Sequence, residues 1–193
     1  MNTPNLDDIL SQTTSATTSG AIDAKTITIR RKLEQDQASL VIKCSPGKIT
    51  ILHDSDTGCL LPYQHALAGM EQPDFSLSLG PNDYNHRLCA QAGFGDRLPD
   101  ESILAYLTRA GQTPEQVELS VRRYEFAQYK FLTCAQLSQT AARQVSLLAA
   151  CSGSKQFLVL NDPFQPFSGR WREHFAELLL QEAKEKNRTI VIV

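Results

Sequence analysis

The sequence lacks several features that would place a chain in a class at once. It has no C-x-x-C pair, and its five cysteines and four histidines do not fall at metal-ligand spacing, so neither a disulfide framework nor a zinc site is indicated. No apolar run approaches the roughly 20 residues that span a bilayer, and the polar residues 1–8 lack the pattern of a secretory signal. A net charge of −2 gives no sign of a surface for nucleic acid or anionic lipid. We therefore expect a cytoplasmic protein with reduced, mostly buried thiols, which meets the inner face of a membrane through a partner.

The composition fits one folded domain that follows a polar tail. With 193 residues, of which 41% are hydrophobic, the chain is long enough to bury a core. Residues 11–20 are small and polar and have nothing to bury, so residues 1–24 are predicted to be a disordered tail. The folded domain is predicted to span residues 25–193.

Hydrophobic patterning predicts strands that alternate with helices. Short β-branched or alternating runs predict strands at 39–43, 48–52, 75–80, 156–160 and 189–193. Helical periodicity predicts helices at 62–70, 100–110, 114–135, 137–151 and 171–187. This alternation is typical of an α/β protein.

The segment between the strand at 48–52 and the helix at 62–70 lies where a phosphate-binding loop, G-x-x-x-x-G-K-[ST], would stand. It consists of His53, Asp54, Ser55, Asp56, Thr57, Gly58, Cys59 and Leu60. Gly58 occupies the position of the second glycine. However, Cys59 replaces the lysine that binds the β- and γ-phosphates, and Leu60 replaces the hydroxyl that binds Mg²⁺.

Charge decides what this loop would bind. One ion pair at about 4 Å is worth roughly 4 kcal/mol at an effective dielectric constant near 20, and the chain lacks the lysine that would form it. Asp54 and Asp56 add negative charge beside the position of a polyphosphate. The loop is therefore predicted not to bind Mg²⁺-ATP in the usual way. The alternative is an ordinary acidic turn that never was a phosphate loop.

Two later segments give the chain a resemblance to a known family. Leu137 and Ser138 open the helix at 137–151, and the strand at 156–160 leads into residues 160–164, Leu-Asn-Asp-Pro-Phe. This order resembles the second half of an ABC-type ATPase, the nucleotide-binding domain of ABC transporters. The resemblance implies an α/β, P-loop NTPase-like fold. It would have a mostly parallel sheet, flanking helices and a small helical subdomain at about 100–150.

The resemblance also implies roles that this sequence no longer supports. The signature segment would begin at Leu137, Ser138 and Gln139, but the following Gly-Gly-Gln of the family is absent, and Ser138 as a plain helix N-cap is the alternative. Asn161 stands at the position of the Mg²⁺-binding aspartate, and Asp162 at that of the general-base glutamate, one methylene shorter. Gln91 is a possible Q-loop glutamine, with a glutamine in a polar loop as the alternative. No histidine follows the strand at 189–193.

These observations favour a catalytically inactive ABC ATPase-like subunit without a cofactor or metal. Such a chain would act as a partner, scaffold or regulatory component of a transporter or another membrane-associated complex. The implied partners are an ABC ATPase, a second copy of the chain or a permease. Residues 100–135, which are dense in aromatic residues, are the candidate docking region, with core burial as the alternative.

Two other functions stay open at this point. One is a functional ATP-binding subunit that holds ATP and Mg²⁺ with atypical motifs, in which Asp162 would serve as the base. The other is an unrelated α/β enzyme that uses Cys59 as a nucleophile, with His53 or His65 as its base.

Overall fold

The structure, a computed structural model of the chain, describes residues 25–32, 39–53, 59–94, 98–126, 129 and 132–193. The tail predicted for residues 1–24 lies outside this range. The strands are β1 (Ile27–Lys32), β2 (Ser39–Cys44), β3 (Ile49–Ile51), β4 (Phe75–Leu79), β5 (Asn82–Asp83), β6 (Cys89–Ala92), β7 (Phe157–Leu160) and β8 (Thr189–Ile192). The helices are α1 (Leu61–Leu67), α2 (Ile103–Arg109), α3 (Pro114–Arg123), α4 (Gln139–Ser152) and α5 (Arg170–Lys184). Two short 3-10 helices, His86–Leu88 and Cys134–Gln136, lie between them.

The strands form two four-stranded sheets of different kinds. One sheet is antiparallel, in the order β2-β1-β4-β5, and pairs Ile29 of β1 with both Ile42 and Leu77. The other is parallel, in the order β3-β8-β7-β6. The predicted α/β fold with a parallel sheet and flanking helices is confirmed. The antiparallel sheet is an addition to that prediction.

The parallel sheet is buried on both faces. Every residue of β7 and β8 is buried, as is typical of strands covered on two sides. Leu158 and Leu160 of β7 belong to a core cluster that also includes the inner faces of α2, α3, α4 and α5. Phe157 and Val159 belong to a second cluster, which faces α1 and the antiparallel sheet. The alternation of side chains along one strand therefore joins the two cores through the sheet.

The helix predicted at 114–135 ends earlier in the structure, at the end of α3. A helix was predicted to continue to residue 135, but α3 ends at Arg123 and Tyr124 caps it. The N–H of Phe126 bonds to the carbonyl of Val121 at 2.8 Å, and Glu125 has a positive φ of 57°. This is a Schellman motif, in which the buried Phe126 anchors the chain after the turn. The division of residues 25–193 that sets apart a helical subdomain at about 100–150 stays a prediction.

The carboxyl ends of the parallel strands meet at one edge of the sheet. Ile51 and Leu160 both pair with Ile192 of β8, and Ala92 pairs with Leu160. The segments that leave β3, β6 and β7 are therefore neighbours, as expected for the binding edge of an open α/β sheet.

Candidate functional site

The expected phosphate-loop position does join β3 to α1. Residues 54–58 lie outside the described residues, so the predicted roles of Asp54, Ser55, Asp56, Thr57 and Gly58 stay predictions. His53 and Cys59, at the two ends of this segment, are exposed. Leu60 is half-buried and packs against the second core cluster, and as the N-cap of α1 it makes no side-chain capping bond.

Asn161, the first residue after β7, holds this edge of the sheet together through its side-chain amide. Its Oδ1 accepts a hydrogen bond from Nε2 of Gln64 on α1 at 3.0 Å. Its Nδ2 donates to the carbonyl oxygen of Gly93, just past β6, at 2.9 Å. Both functional groups of the amide are thus used to connect three elements. The sequence prediction placed Asn161 at the edge but did not find Gln64 or Gly93 as its partners.

Gly93 makes this close approach possible at the level of the backbone. Its φ is +88°, and a Cβ at this position would lie 2.3 Å from the carbonyl oxygen of Asn161. The N–H of Asn161 in turn bonds to the carbonyl of Ala92 at 3.0 Å. The exits of β6 and β7 are therefore packed against each other with no room for a side chain.

Asp162 is held by its backbone, and its side chain is exposed. Its N–H donates to the carbonyl of Val193 at 2.8 Å, and its φ of 40° is unusual for a residue with a Cβ. Its carbonyl accepts from Nη2 of Arg143 at 3.1 Å. The role of Asp162 as a general base stays a prediction of the alternative in which the chain is active.

Arg143 and Gln144 of α4 clamp the loop that follows β7. Nη2 of Arg143 also donates to the carbonyl of Asn161 at 2.9 Å, and its Nη1 donates to Oε1 of Gln165 at 3.3 Å. Nε2 of Gln144 donates to the carbonyl of Pro166 at 2.6 Å. The sequence analysis gave these two residues no role. Their contacts with the loop could not be predicted, because they depend on how α4 packs against the end of β7.

Gln91 lies within β6, which corrects the alternative of a glutamine in a polar loop. Its Nε2 donates to the carbonyl of Leu67 at 2.6 Å, and the hydroxyl of Tyr84 donates to the same oxygen at 2.7 Å. That carbonyl belongs to the last turn of α1 and has no partner within the helix, so the two side chains satisfy it. A Q-loop role for Gln91 stays a prediction.

The expected signature segment forms the start of α4. Ser138 is the N-cap, and its Oγ accepts from the N–H of Ala141 at 3.3 Å. Leu137 is half-buried, and Gln139 is the first, exposed residue of the helix. The capping role that was given as the alternative for Ser138 is therefore observed, while a vestigial signature at 137–139 stays a prediction.

Four of the five cysteines are buried, as predicted, and Cys59 is exposed. Burial raises the pKa of Cys44 and of Cys151 to about 12 each, and that of Cys89 to about 11, so these thiols stay protonated at neutral pH. A nucleophilic Cys59 paired with His53 or His65 stays a prediction.

The described residues hold neither a candidate membrane span nor a candidate metal cluster. There, no helix has both the length and the apolar character that a bilayer crossing requires. In the same part of the chain, no three His, Cys, Asp or Glu side chains are grouped as a metal site.

The class of fold follows from this geometry. A parallel sheet in the order β3-β8-β7-β6, with a β3-to-α1 connection at its carboxyl edge, is a P-loop NTPase-like α/β arrangement. No protein-family model and no curated protein sequence matches the chain. Among solved structures, the ATP-binding subunit of an ABC transporter matches with a TM-score of 0.63 at 14% identity, over 86% of this chain and 78% of that one. A provisionally assigned ABC transporter (ATP-binding protein) from Pyrococcus furiosus matches with a TM-score of 0.62 at 13% identity, over 86% and 90% of the two chains. The chain therefore has the fold of ABC transporter ATP-binding proteins, and at such identities the likeness concerns the fold alone.

Proposed function

We propose that this chain is a catalytically inactive ABC ATPase-like subunit, a pseudo-ATPase. It would serve as a partner, scaffold or regulatory component of a transporter or another membrane-associated complex. The observation that carries the proposal is the Asn161 amide, which is bonded to Gln64 and Gly93 at the edge where a nucleotide would bind. Its fold supports a relation to ATP-binding subunits, and its site chemistry supports the loss of activity.

The electrostatic argument combines two positions. The ammonium group of a phosphate-loop lysine is absent, because Cys59 occupies its place. At the end of β7, a neutral amide occupies the place of a carboxylate, and its oxygen already accepts from Gln64. A Mg²⁺-triphosphate would therefore meet neither the cation that binds its phosphates nor the anion that holds its metal.

We expect the full chain to show no Mg²⁺-dependent ATP binding in calorimetric titration. Asn161→Asp would restore the family's carboxylate, but we expect it to bind no nucleotide either. A carboxylate at this position can still accept from Gln64, but it cannot donate to the carbonyl of Gly93. Since the half-buried carbonyl of Gly93 loses the hydrogen bond from Asn161 and faces a carboxylate oxygen instead, the free energy of unfolding should fall by about 1–3 kcal/mol.

The neighbouring variant Asp162→Asn is the matched control for this loss of stability. The side chain of Asp162 is exposed, and asparagine tolerates its positive φ, so stability should change by less than about 0.5 kcal/mol. Micromolar ATP affinity that depends on Mg²⁺, in the native chain, would reject the proposal in favour of the functional ATP-binding subunit.

The partner role is supported by exposed leucines on the helices at 100–135. Leu119 of α3 is 66% exposed and Leu104 of α2 is 39% exposed, whereas the aromatic residues Tyr124 and Phe126 are buried in the core. Core burial therefore explains these two aromatic residues, and the leucines are the better docking candidates.

Purification of the tagged chain from its native host is expected to recover a permease or an ABC ATPase with intact motifs. Leu119→Lys should reduce this recovery without changing the stability of the chain, because the substitution removes exposed apolar area at the proposed contact. Leu88→Lys is the control, since Leu88 is 57% exposed but lies outside the proposed docking region. If both variants retain the partner equally, docking does not involve α3.

A further inference from the structure

A cavity of about 510 Å³, widely open to solvent, lies at the amino edge of the parallel sheet, opposite the edge described above. Its walls come from residues that precede β7 and β8, from the end of α4, and from the turn between α2 and α3. This position separates it from Asn161 and from the phosphate-loop position by the length of the strands. It is thus a second concave site, in the size range of small-molecule pockets.

The charged side chains that line the cavity are all cationic. Arg109, Lys186 and Arg188 contribute them, and the remaining side chains of the lining are small or polar, with no acidic residue among them. The turn at Gly111 packs tightly against α4, since a Cβ there would lie 3.1 Å from the carbonyl oxygen of Ser152. The wall is therefore built by backbone packing.

Arg188 is the deepest of the three cations. Its side chain is 3% exposed, and its Nη1 donates to the carbonyl of Cys151 at 2.6 Å and to Oε2 of Glu182 at 2.5 Å. These two bonds use one nitrogen of a guanidinium that carries five N–H donors. A buried cation is thus fixed in the wall of the cavity, and its N–H donors on Nε and Nη2 are not used in these two bonds.

The three lining cations and the carboxylates paired with them do not balance in charge. The single carboxylate of Glu182 accepts from both Arg188 and Lys186, the latter at 2.7 Å. Arg109 is paired separately with Glu101. Three cations therefore face two carboxylates, which leaves one positive charge in excess for an anion in the cavity.

We propose that this cavity binds a small, hydroxyl-bearing phosphate monoester, such as a sugar phosphate. Guanidinium and ammonium groups together are the usual donors to phosphate oxygens. The cavity is far larger than an inorganic phosphate ion, so it has room for the esterified part. Nε2 of Gln156 donates to the carbonyl of Asn187, which leaves its Oε1 to accept from a ligand hydroxyl.

The test is a calorimetric titration of the full chain with glucose 6-phosphate, inorganic phosphate and glucose. We expect glucose 6-phosphate to bind with a dissociation constant below about 1 mM, inorganic phosphate to bind more weakly, and glucose not to bind. Lys186→Gln should weaken binding about tenfold, because it removes a cation that contacts the phosphate. Arg109→Gln should weaken it as well.

Lys184→Gln is the matched control, because Lys184 is exposed nearby on α5 and does not line the cavity. It should leave the affinity unchanged. Absence of glucose 6-phosphate binding at millimolar concentration would overturn the proposal, as would equal losses in Lys184→Gln and Lys186→Gln. If inorganic phosphate binds as tightly as glucose 6-phosphate, the proposal of a phosphate monoester is wrong, and the cavity is a simple anion site.

The same variants keep this inference separate from the proposed function. If ATP binds the native chain without requiring Mg²⁺ and Lys186→Gln abolishes that binding, the nucleotide occupies the cavity as a phosphate ligand. If the binding persists in Lys186→Gln, it belongs to the carboxyl edge and contradicts the pseudo-ATPase. Each result therefore tests one site alone.

Discussion

Replacement of Gly93 by alanine is expected to lower the free energy of unfolding by at least about 3 kcal/mol. A left-handed backbone of φ +88° costs an alanine about 1–3 kcal/mol by itself. The added Cβ would also stand 2.3 Å from the carbonyl oxygen of Asn161, which is backbone and cannot rotate away. To relieve the clash, the exits of β6 and β7 must separate, and the hydrogen bond from Asn161 to Gly93 must lengthen. Urea denaturation followed by circular dichroism measures this loss.

Gly169→Ala separates steric contact from backbone strain. Gly169 also has a positive φ, of 51°, but a Cβ there would meet nothing within 4 Å. Its loss should therefore stay near the cost of the backbone alone, about 1–3 kcal/mol, without the added cost of a steric clash. If the two variants lose the same stability, the close approach of Gly93 to the carbonyl of Asn161 adds no steric cost. In that case the tight packing of the β6 and β7 exits around Asn161 is not supported.

The two central strands of the parallel sheet, β7 and β8, could be predicted because burial on two faces leaves a plain signal. Residues 156–160 and 189–193 are short, continuous apolar runs, and the structure has β7 and β8 within them. The order of the strands could not be predicted in the same way. It depends on which crossover packs on which face, and no local pattern records that.

Two local features escaped the sequence prediction for a physical reason. The stop of α3 uses Glu125 in a left-handed conformation, where glycine or asparagine would have given a signal. β6 is a short strand, Cys-Ala-Gln-Ala, with small and polar residues and no β-branched ones. Its place in the sheet comes from its pairing with β7, whose residues supply the hydrophobic partners.

At the candidate site, the sequence analysis singled out Asn161 and missed its contacts. Its position was visible, since it follows a hydrophobic strand directly. Gln64, which bonds to it, is 97 residues away in sequence, and glutamine in a short helix is not a signal of any contact. A half-buried amide at a strand exit is expected to find both a donor and an acceptor, and this requirement is the guide for finding such partners.

Glu182 and Arg188 form the interaction whose removal should have the largest effect at the other end of the sheet. Their side chains are 5% and 3% exposed, and the pair joins the end of α5 to the start of β8, while Arg188 also bonds to the last turn of α4. Arg188→Met is expected to cost about 3–5 kcal/mol in the free energy of unfolding. The reason is that it leaves the buried carboxylate of Glu182 with a single partner, the half-exposed Lys186.

The double variant Glu182→Leu with Arg188→Met should lose less than Arg188→Met alone, because no buried charge is then left without its partner. The exposed pair of Arg122 and Glu118 on α3 provides the matched control, since Arg122→Met should change stability by less than about 1 kcal/mol. Urea denaturation at neutral pH measures all three. A double variant as unstable as the single one would mean that the bond from Arg188 to Cys151 dominates. In that case the buried guanidinium is held chiefly by the carbonyl of Cys151 at the end of α4. The positive charge of Arg188 would then be explained by the capping of this helix rather than by a ligand.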